Sequence, residues 1–126
     1  MTISVGLADA HAGLRSAIRC LLERSSEIVV VGEADNGKAA LQMAKELTPD
    51  VLVLDAEMPQ MTGLEVSQQL AVDKSPVRIL LLSVYANFYK NHPAVSQSCI
   101  VCVEKKDMST RLLTIVHQLA QAEPVS

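Results

Sequence analysis

The chain has 126 residues, of which 49% are hydrophobic and 20% are charged, and its net charge is −3. This length suits one domain with a real core, and this hydrophobicity excludes general disorder. No apolar run is long enough to span a bilayer, and Lys and Arg do not cluster as they would in a nucleic-acid-binding surface. The N-terminus lacks the pattern of a signal peptide, so we expect a cytoplasmic protein with no membrane partner.

Apolar runs and helical stripes alternate along the chain. The run "ISVGLAD" predicts a first strand, and apolar residues over 14–22 mark one face of the helix that follows. The run "IVVVGEA" predicts a second strand, followed by a helix that stops at Pro49. The run "VLVLD" predicts a third strand, with a helix after Gly63. The runs "VRILLLS" and "CIVCV" predict the fourth and fifth strands, and a stripe over 112–119 predicts the final helix.

This alternation predicts right-handed βαβ units and a parallel sheet with helices on both faces. Five strands suit the doubly wound, flavodoxin-like α/β fold with strand order 2-1-3-4-5. Pro93 interrupts the segment between the fourth and fifth strands, and a proline in a helix interior costs about 3 kcal/mol. We therefore expect a short, bent or poorly ordered segment over residues 87–98. Tyr85, Phe88 and Tyr89 are interpreted as packing for this segment, with an exposed partner-binding patch as the alternative.

The three cysteines are Cys20, Cys99 and Cys102. An odd number in a cytoplasmic protein argues against a disulfide framework. The spacing of "CIVC" is that of redox and zinc sites, but no second pair completes four ligands. We interpret these two cysteines as small core residues of a strand.

Polar residues follow the apolar strands at what should be one edge of the sheet. Asp9, Asp55 and Ser83 end the first, third and fourth strands, and Lys105 follows the fifth. In doubly wound sheets this carboxyl edge holds the ligand site. An aspartate can attack phosphorus to form an acyl phosphate, and a divalent cation, a lysine and a hydroxyl can neutralise the transferred group. These residue types therefore indicate phosphoryl transfer to Asp55.

At this point the chain resembles the bacterial response-regulator receiver domains, of the NarL/LuxR type, over essentially its whole length. The resemblance is carried by "LADAH", "VVGEADNGKAAL", "PDVLVLDAEMPQMTGLE", "ILLLSVY" and "VEKKDMS". It implies that Asp55 is the phosphoacceptor and that Asp9, Asp55 and the backbone carbonyl of Glu57 hold Mg²⁺. It also implies that Ser83 is the switch hydroxyl and that Lys105, rather than Lys106, binds the phosphoryl group.

The resemblance further implies the partners. A histidine kinase is expected to phosphorylate Asp55 and a dimerisation or output surface to respond, and a homodimer is one assembly that this surface allows. DNA is reached only through a LuxR-type output domain that is not in this chain. Residues 1–121 are then the receiver domain, and residues 122–126 are a tail or the start of a linker. The chain itself is not expected to be an enzyme, since neither a dinucleotide-binding fingerprint nor a complete phosphatase site is present.

Three residues depart from the family pattern. Ala10 stands where the family has its second acid, Cys102 where it has an aromatic switch residue, and Val84 where alanine is usual. Because Ala10 offers no side-chain ligand, we expect weak Mg²⁺ binding and slow phosphorylation. The alternative is a pseudo-receiver, an interaction module that works without phosphorylation.

Other roles remain open for several of these residues. Asp9 could be a helix N-cap, Ser83 an ordinary strand-end residue, and Lys105 and Lys106 solvated lysines. Nothing in the sequence requires a metal-binding role for any of the histidines, which are His11, His92 and His117.

Overall fold

The computed structural model describes residues 2–85, 89, 91–93 and 100–121. Its elements alternate between strands and helices up to β4, which is followed among the described residues by β5, and a short 3-10 turn over Lys105–Asp107 precedes the last helix. In chain order they are β1 (Ile3–Ala8), α1 (Ala12–Leu22), β2 (Ile28–Ala34), α2 (Gly37–Leu47), β3 (Val51–Asp55), α3 (Gly63–Val72), β4 (Arg78–Ser83), β5 (Ile100–Glu104) and α4 (Met108–Gln121).

The five strands form one parallel sheet in the order β2-β1-β3-β4-β5. The predicted flavodoxin-like order is therefore confirmed. Strand β2 lies on one side of β1, and β3, β4 and β5 lie on the other side. The order in which strands are added therefore reverses between the neighbouring strands β1 and β3. A crevice at the carboxyl ends of these two strands is where this class of fold places its ligands.

The central strands are buried on both faces, which explains their unbroken apolar runs. Side chains of one face, including Val53 and Leu80, pack with α1 and α4. Side chains of the other face, including Leu52 and Leu81, pack with α2 and α3. Two core layers therefore fix the strand ends relative to one another.

Local signals set where the helices begin. The Asn36 side chain accepts from the backbone N–H of Ala39 at the start of α2. Thr62 and Glu65 form a capping box at the start of α3, in which each side chain satisfies the other's backbone N–H. Helix α3 therefore begins at a fixed point just past the carboxyl end of β3.

The segment before β5 is described only in part. The prediction of a bent or poorly ordered segment over 87–98 falls mostly outside the described residues, which here are Tyr89 and 91–93. Cys99 and Phe88 also lie outside them. In the described part of the chain, Cys20 and Cys102 are free thiols, and no helix has the length and apolar character needed to cross a bilayer.

Candidate functional site

Four of the sequence-predicted residues meet at the carboxyl edge of the sheet. Asp55 and Ser83 are the last residues of β3 and β4, and Asp9 directly follows β1. All three are fully buried, with 0% of each residue exposed. Lys105 follows β5, and its side chain is 17% exposed. A group of charged and polar side chains thus ends an otherwise apolar sheet.

The two carboxylate oxygens of Asp55 have different surroundings. Oδ1 lies 3.0 Å from Lys105 Nζ and accepts the Glu57 backbone N–H at 3.0 Å. Oδ2 is buried and has no hydrogen-bond partner among the residues that the structure describes. A buried acceptor without a partner is costly, so this oxygen is expected to face a ligand.

Asp9 shows the same asymmetry. Its Oδ1 accepts the His11 backbone N–H at 2.8 Å and lies 3.4 Å from His11 Nδ1, while its Oδ2 is buried without a partner in the described part of the chain. The N-cap of α1 is His11, with no side-chain cap, so the N-cap interpretation of Asp9 is wrong. Arg15 donates to the Asp9 backbone carbonyl at 2.8 Å and helps to fix this turn.

The orphaned oxygens fit a divalent cation. Asp9, His11 and Asp55 can each offer one ligand atom, and these atoms all lie within 4.8 Å of one another. Carboxylate oxygens are the ligands that Mg²⁺ prefers, and a cation would satisfy both unpartnered atoms. Ala10 lies beside this group and contributes no side-chain ligand. The sequence did not single out His11, whose approach comes from the turn after β1.

The loop from β3 to α3 follows the phosphoacceptor candidate closely. The Gly63 N–H donates to the Ala56 carbonyl at 3.0 Å. A Cβ built on Gly63 would lie 2.4 Å from the Asp55 carbonyl oxygen, closer than any real contact. Glycine is therefore required here because the chain returns against its own backbone beside the site.

Glu57 reaches the end of β4 with its side chain. Its Oε2 accepts the Ser83 hydroxyl at 2.9 Å, and its Oε1 accepts the Val84 N–H at 3.4 Å. The Ser83 Oγ in turn accepts the Tyr85 N–H at 2.8 Å. The sequence pointed only to the backbone carbonyl of Glu57, because a contact between residues 26 apart leaves no local pattern.

The aromatic residues have two different environments. Tyr89 packs against the core cluster of the α2 and α3 face, as predicted. Burial raises the pKa of its phenol, and the negative charge of Glu57 raises it further. Tyr85 is 63% exposed, so the packing interpretation is wrong for this residue. Cys102 is buried in the same cluster as Tyr89, which agrees with its interpretation as a core residue.

The two adjacent lysines have different partners. Lys105 reaches Asp55, whereas Lys106 is 77% exposed and pairs with Glu104 at 3.2 Å. The Glu104 carboxylate raises the pKa of Lys106. Of the other histidines, His117 lies beside Ser25 and Glu27.

Comparisons with known proteins find matches over most of the chain. The family model described as the response regulator receiver domain matches residues 5–117. The nitrate/nitrite response regulator protein NarL of Escherichia coli (strain K12) is 34% identical over 127 residues, covering 94% of this chain and 55% of that protein. The protein-glutamate methylesterase/protein-glutamine glutaminase 3 of Paramagnetospirillum magneticum is 33% identical over 108 residues, covering 86% of this chain and 30% of the enzyme.

A solved structure matches as well. The signal receiver domain of NarL from Mycobacterium tuberculosis has a TM-score of 0.83 and is 30% identical. The match covers 97% of this chain and 98% of that domain. The chain therefore spans a whole receiver-like structure but only about half of the E. coli regulator.

Proposed function

Because this chain belongs to the response-regulator receiver domains, of the NarL/LuxR type, we propose that Asp55 accepts a phosphoryl group from a histidine kinase. The observation that carries the proposal is the asymmetry of Asp55. One carboxylate oxygen is bound by Lys105 and a backbone N–H, and the other is buried with no partner within residues 2–85, 89, 91–93 and 100–121. The bound oxygen fixes the orientation, and the free oxygen is the nucleophile.

The transfer is a substitution at phosphorus. Asp55 Oδ2 attacks the phosphorus atom, and an oxygen–phosphorus bond forms as the bond from phosphorus to the leaving group breaks. With phosphohistidine the electron pair of the P–N bond returns to the imidazole, and with acetyl phosphate that of the P–O bond leaves on acetate. Lys105 provides positive charge beside the phosphoryl oxygens, where electrostatic stabilisation has its largest effect.

We propose that this site binds a divalent metal ion only weakly. Asp9 and Asp55 would hold Mg²⁺ together with the Glu57 backbone carbonyl, and the ion, when bound, neutralises charge on the phosphoryl group. Mg²⁺ demands near-octahedral oxygen coordination, and Ala10 supplies no side chain to it. We therefore propose weak binding and slow phosphorylation of Asp55.

We propose that phosphorylation changes the conformation at the end of β4. A phosphoryl group on Asp55 attracts the Ser83 hydroxyl, and the segment after β4 follows it. Relatives of this chain are longer regulators, so the output is proposed to be a dimerisation surface or a LuxR-type DNA-binding domain. The methylesterase relative indicates that receiver domains also occur in enzymes, and we propose a non-enzymatic role for this chain.

A second candidate is the pseudo-receiver, which signals by protein contacts without phosphorylation. The observation that favours it is Ala10, which adds no acid beside the carboxylates of Asp9 and Asp55. Val84, another departure from the family pattern, is 58% exposed and lies beside Ser83.

Labelling of Asp55 decides between these two functions. The chain is incubated with acetyl phosphate and Mg²⁺, and the added phosphoryl group is measured by intact-mass spectrometry and peptide mapping. Slow, Mg²⁺-dependent labelling that Asp55→Ala abolishes supports the receiver. No labelling, with Asp55→Ala equal to wild type in the cell, supports the pseudo-receiver.

A further inference from the structure

The Ser83 hydroxyl is already engaged in the unphosphorylated chain. A serine hydroxyl has one hydrogen to donate, and Ser83 donates it to Glu57 Oε2 at 2.9 Å. The other oxygen of the same carboxylate accepts the Val84 N–H at 3.4 Å. Both oxygens of Glu57 are therefore bound to the end of β4.

The position of Glu57 ties this contact to the phosphoacceptor. Its backbone N–H donates to Asp55 Oδ1 at 3.0 Å, so one residue contacts Asp55 through its backbone and Ser83 through its side chain. Ser83 is fully buried, which strengthens a charge-assisted hydrogen bond relative to one in water. The link is thus short and anchored at both ends.

A carboxylate and a phosphoryl group need the same donors. Both are anionic and both accept hydrogen bonds from hydroxyl and backbone N–H groups. We propose that Glu57 is a positioning residue that holds the end of β4 through Ser83, so that a phosphoryl group on Asp55 gains this hydroxyl only by displacing the Glu57 carboxylate. This inference rests on the proposed function for its statement about phosphorylation, but the link itself is independent of it.

The link has two consequences. The end of β4 is already held by an anion before any phosphoryl group arrives, so the conformational change on phosphorylation is small. The Glu57 carboxylate at Ser83 also adds a negative charge to a site that already holds Asp9 and Asp55, and this charge slows the arrival of the phosphoryl group. Glu57 therefore opposes phosphorylation through its hydrogen bond and through its charge, and the two effects can be separated by substitution.

The first experiment measures the link without phosphorylation. Backbone amide resonances of Val84 and Tyr85 are recorded by NMR for wild type, Glu57→Ala, Ser83→Ala and the double variant. Glu46→Gln, which removes an exposed carboxylate on α2, is the control. We expect Glu57→Ala to shift both amides and the control to leave them unchanged. In the Ser83→Ala background Glu57→Ala should add little at Tyr85, whose N–H bonds Ser83, but should still shift Val84, whose N–H bonds Glu57 directly. Unchanged amides in Glu57→Ala overturn the proposal.

The second experiment measures labelling of Asp55 by acetyl phosphate. Glu57→Ala should raise the rate about tenfold, since it removes a hydrogen bond to a charged group that the phosphoryl group must break. Glu57→Gln keeps a neutral acceptor, so its rate should fall between wild type and Glu57→Ala. Equal rates for the Gln and Ala variants, or the same gain from Glu57→Ala in the Ser83→Ala background, would show that Glu57 acts by charge alone.

The two experiments distinguish a failure of the proposed phosphorylation from a failure of the proposed role of Glu57. If no variant is labelled, the proposed phosphorylation of Asp55 is wrong, and the amide shifts still decide whether Glu57 holds Ser83. If labelling occurs but the amides of Glu57→Ala match wild type, the phosphorylation proposal stands and the positioning role of Glu57 is wrong.

Discussion

The two carboxylates of the site are supported unequally. On the β3 side, Asp55 has Lys105 at 3.0 Å and a backbone N–H at the same distance. On the β1 side, Asp9 has one backbone N–H and an exposed imidazole, and Ala10 contributes no charge or ligand. The β3 side therefore has the parts to receive and hold a phosphoryl group, and the β1 side lacks part of what would hold a cation.

This difference indicates which groups would have to compensate the negative charge of the site. Among the described residues, two buried carboxylates lie close together, one of them paired with Lys105, and each has an oxygen without a partner. Like charges in a buried site disfavour each other, so a bound cation would stabilise both carboxylates. On the proposed function, the site has the residues that a nucleophilic Asp55 needs and lacks one side chain that would help to bind a cation.

The largest effect is expected from the lysine on the β3 side. Lys105→Ala should slow acetyl-phosphate labelling of Asp55 by about a hundredfold, because it removes the cation beside the phosphoryl group. Lys106→Ala is the matched control, since Lys106 is exposed and pairs with Glu104. Equal labelling rates for the two variants would mean that Lys105 does not assist phosphoryl transfer. The β3 side would then have no advantage over the β1 side.

A smaller effect is expected on the β1 side, and in stability rather than rate. Asp9→Asn keeps an oxygen for the His11 N–H and replaces the orphaned, charged oxygen with a neutral donor. The free energy of unfolding without divalent metal should rise by about 1 kcal/mol, as measured by urea titration.

Asp50→Asn is the control for the same substitution. The Asp50 carboxylate is already bound by the N–H and hydroxyl of Ser4, so its loss of charge should bring no gain. A destabilised Asp9→Asn would show that Asp9 is not strained, and the two sides would then be alike.

The smallest effect concerns the ion pairs behind Asp9. Arg15 joins the Asp9 backbone carbonyl to Glu33, and Glu33 also bonds Arg19. The Arg19 hydrogen bond lowers the pKa of Glu33 below its ordinary value of 4.5, although burial opposes this.

A lowered pKa means that Glu33 stabilises the fold above its unfolded pKa and that this contribution is lost as pH falls through the folded pKa. Glu33→Gln should therefore cost less than about 1 kcal/mol at neutral pH, and this difference should shrink in acid and in high salt. Thermal melts at several pH values measure it. A difference that grows as the pH falls would contradict this account of the ion pairs.

Much of the fold could be predicted from the sequence. Strands buried on both faces leave unbroken apolar runs, and the alternation with helices leaves few topologies to consider. Asp9, Asp55, Ser83 and Lys105 were placed together because parallel strands end at one edge. The predicted strands end within a residue or two of those in the structure. For example, the fourth run begins at Val77, and β4 begins at the next residue.

The missed features depend on side-chain direction. Glu57 points to Ser83 and His11 points to Asp9, and neither direction follows from periodicity or motif. Tyr85 is exposed although its neighbour Tyr89 packs on the core, since the chain turns after β4. Such contacts are set by the tertiary arrangement of loops, where no repeat in the sequence reports them.

The most direct test of the account is the response of the site to a restored acid. Ala10→Asp places a carboxylate beside Asp9, and labelling of Asp55 by acetyl phosphate is followed by mass spectrometry over a series of Mg²⁺ concentrations. We predict tighter Mg²⁺ dependence and labelling faster than wild type by about a hundredfold, the effect of one stabilising group in such a site. Rapid, stoichiometric labelling of the wild type, or no gain from Ala10→Asp, would contradict it.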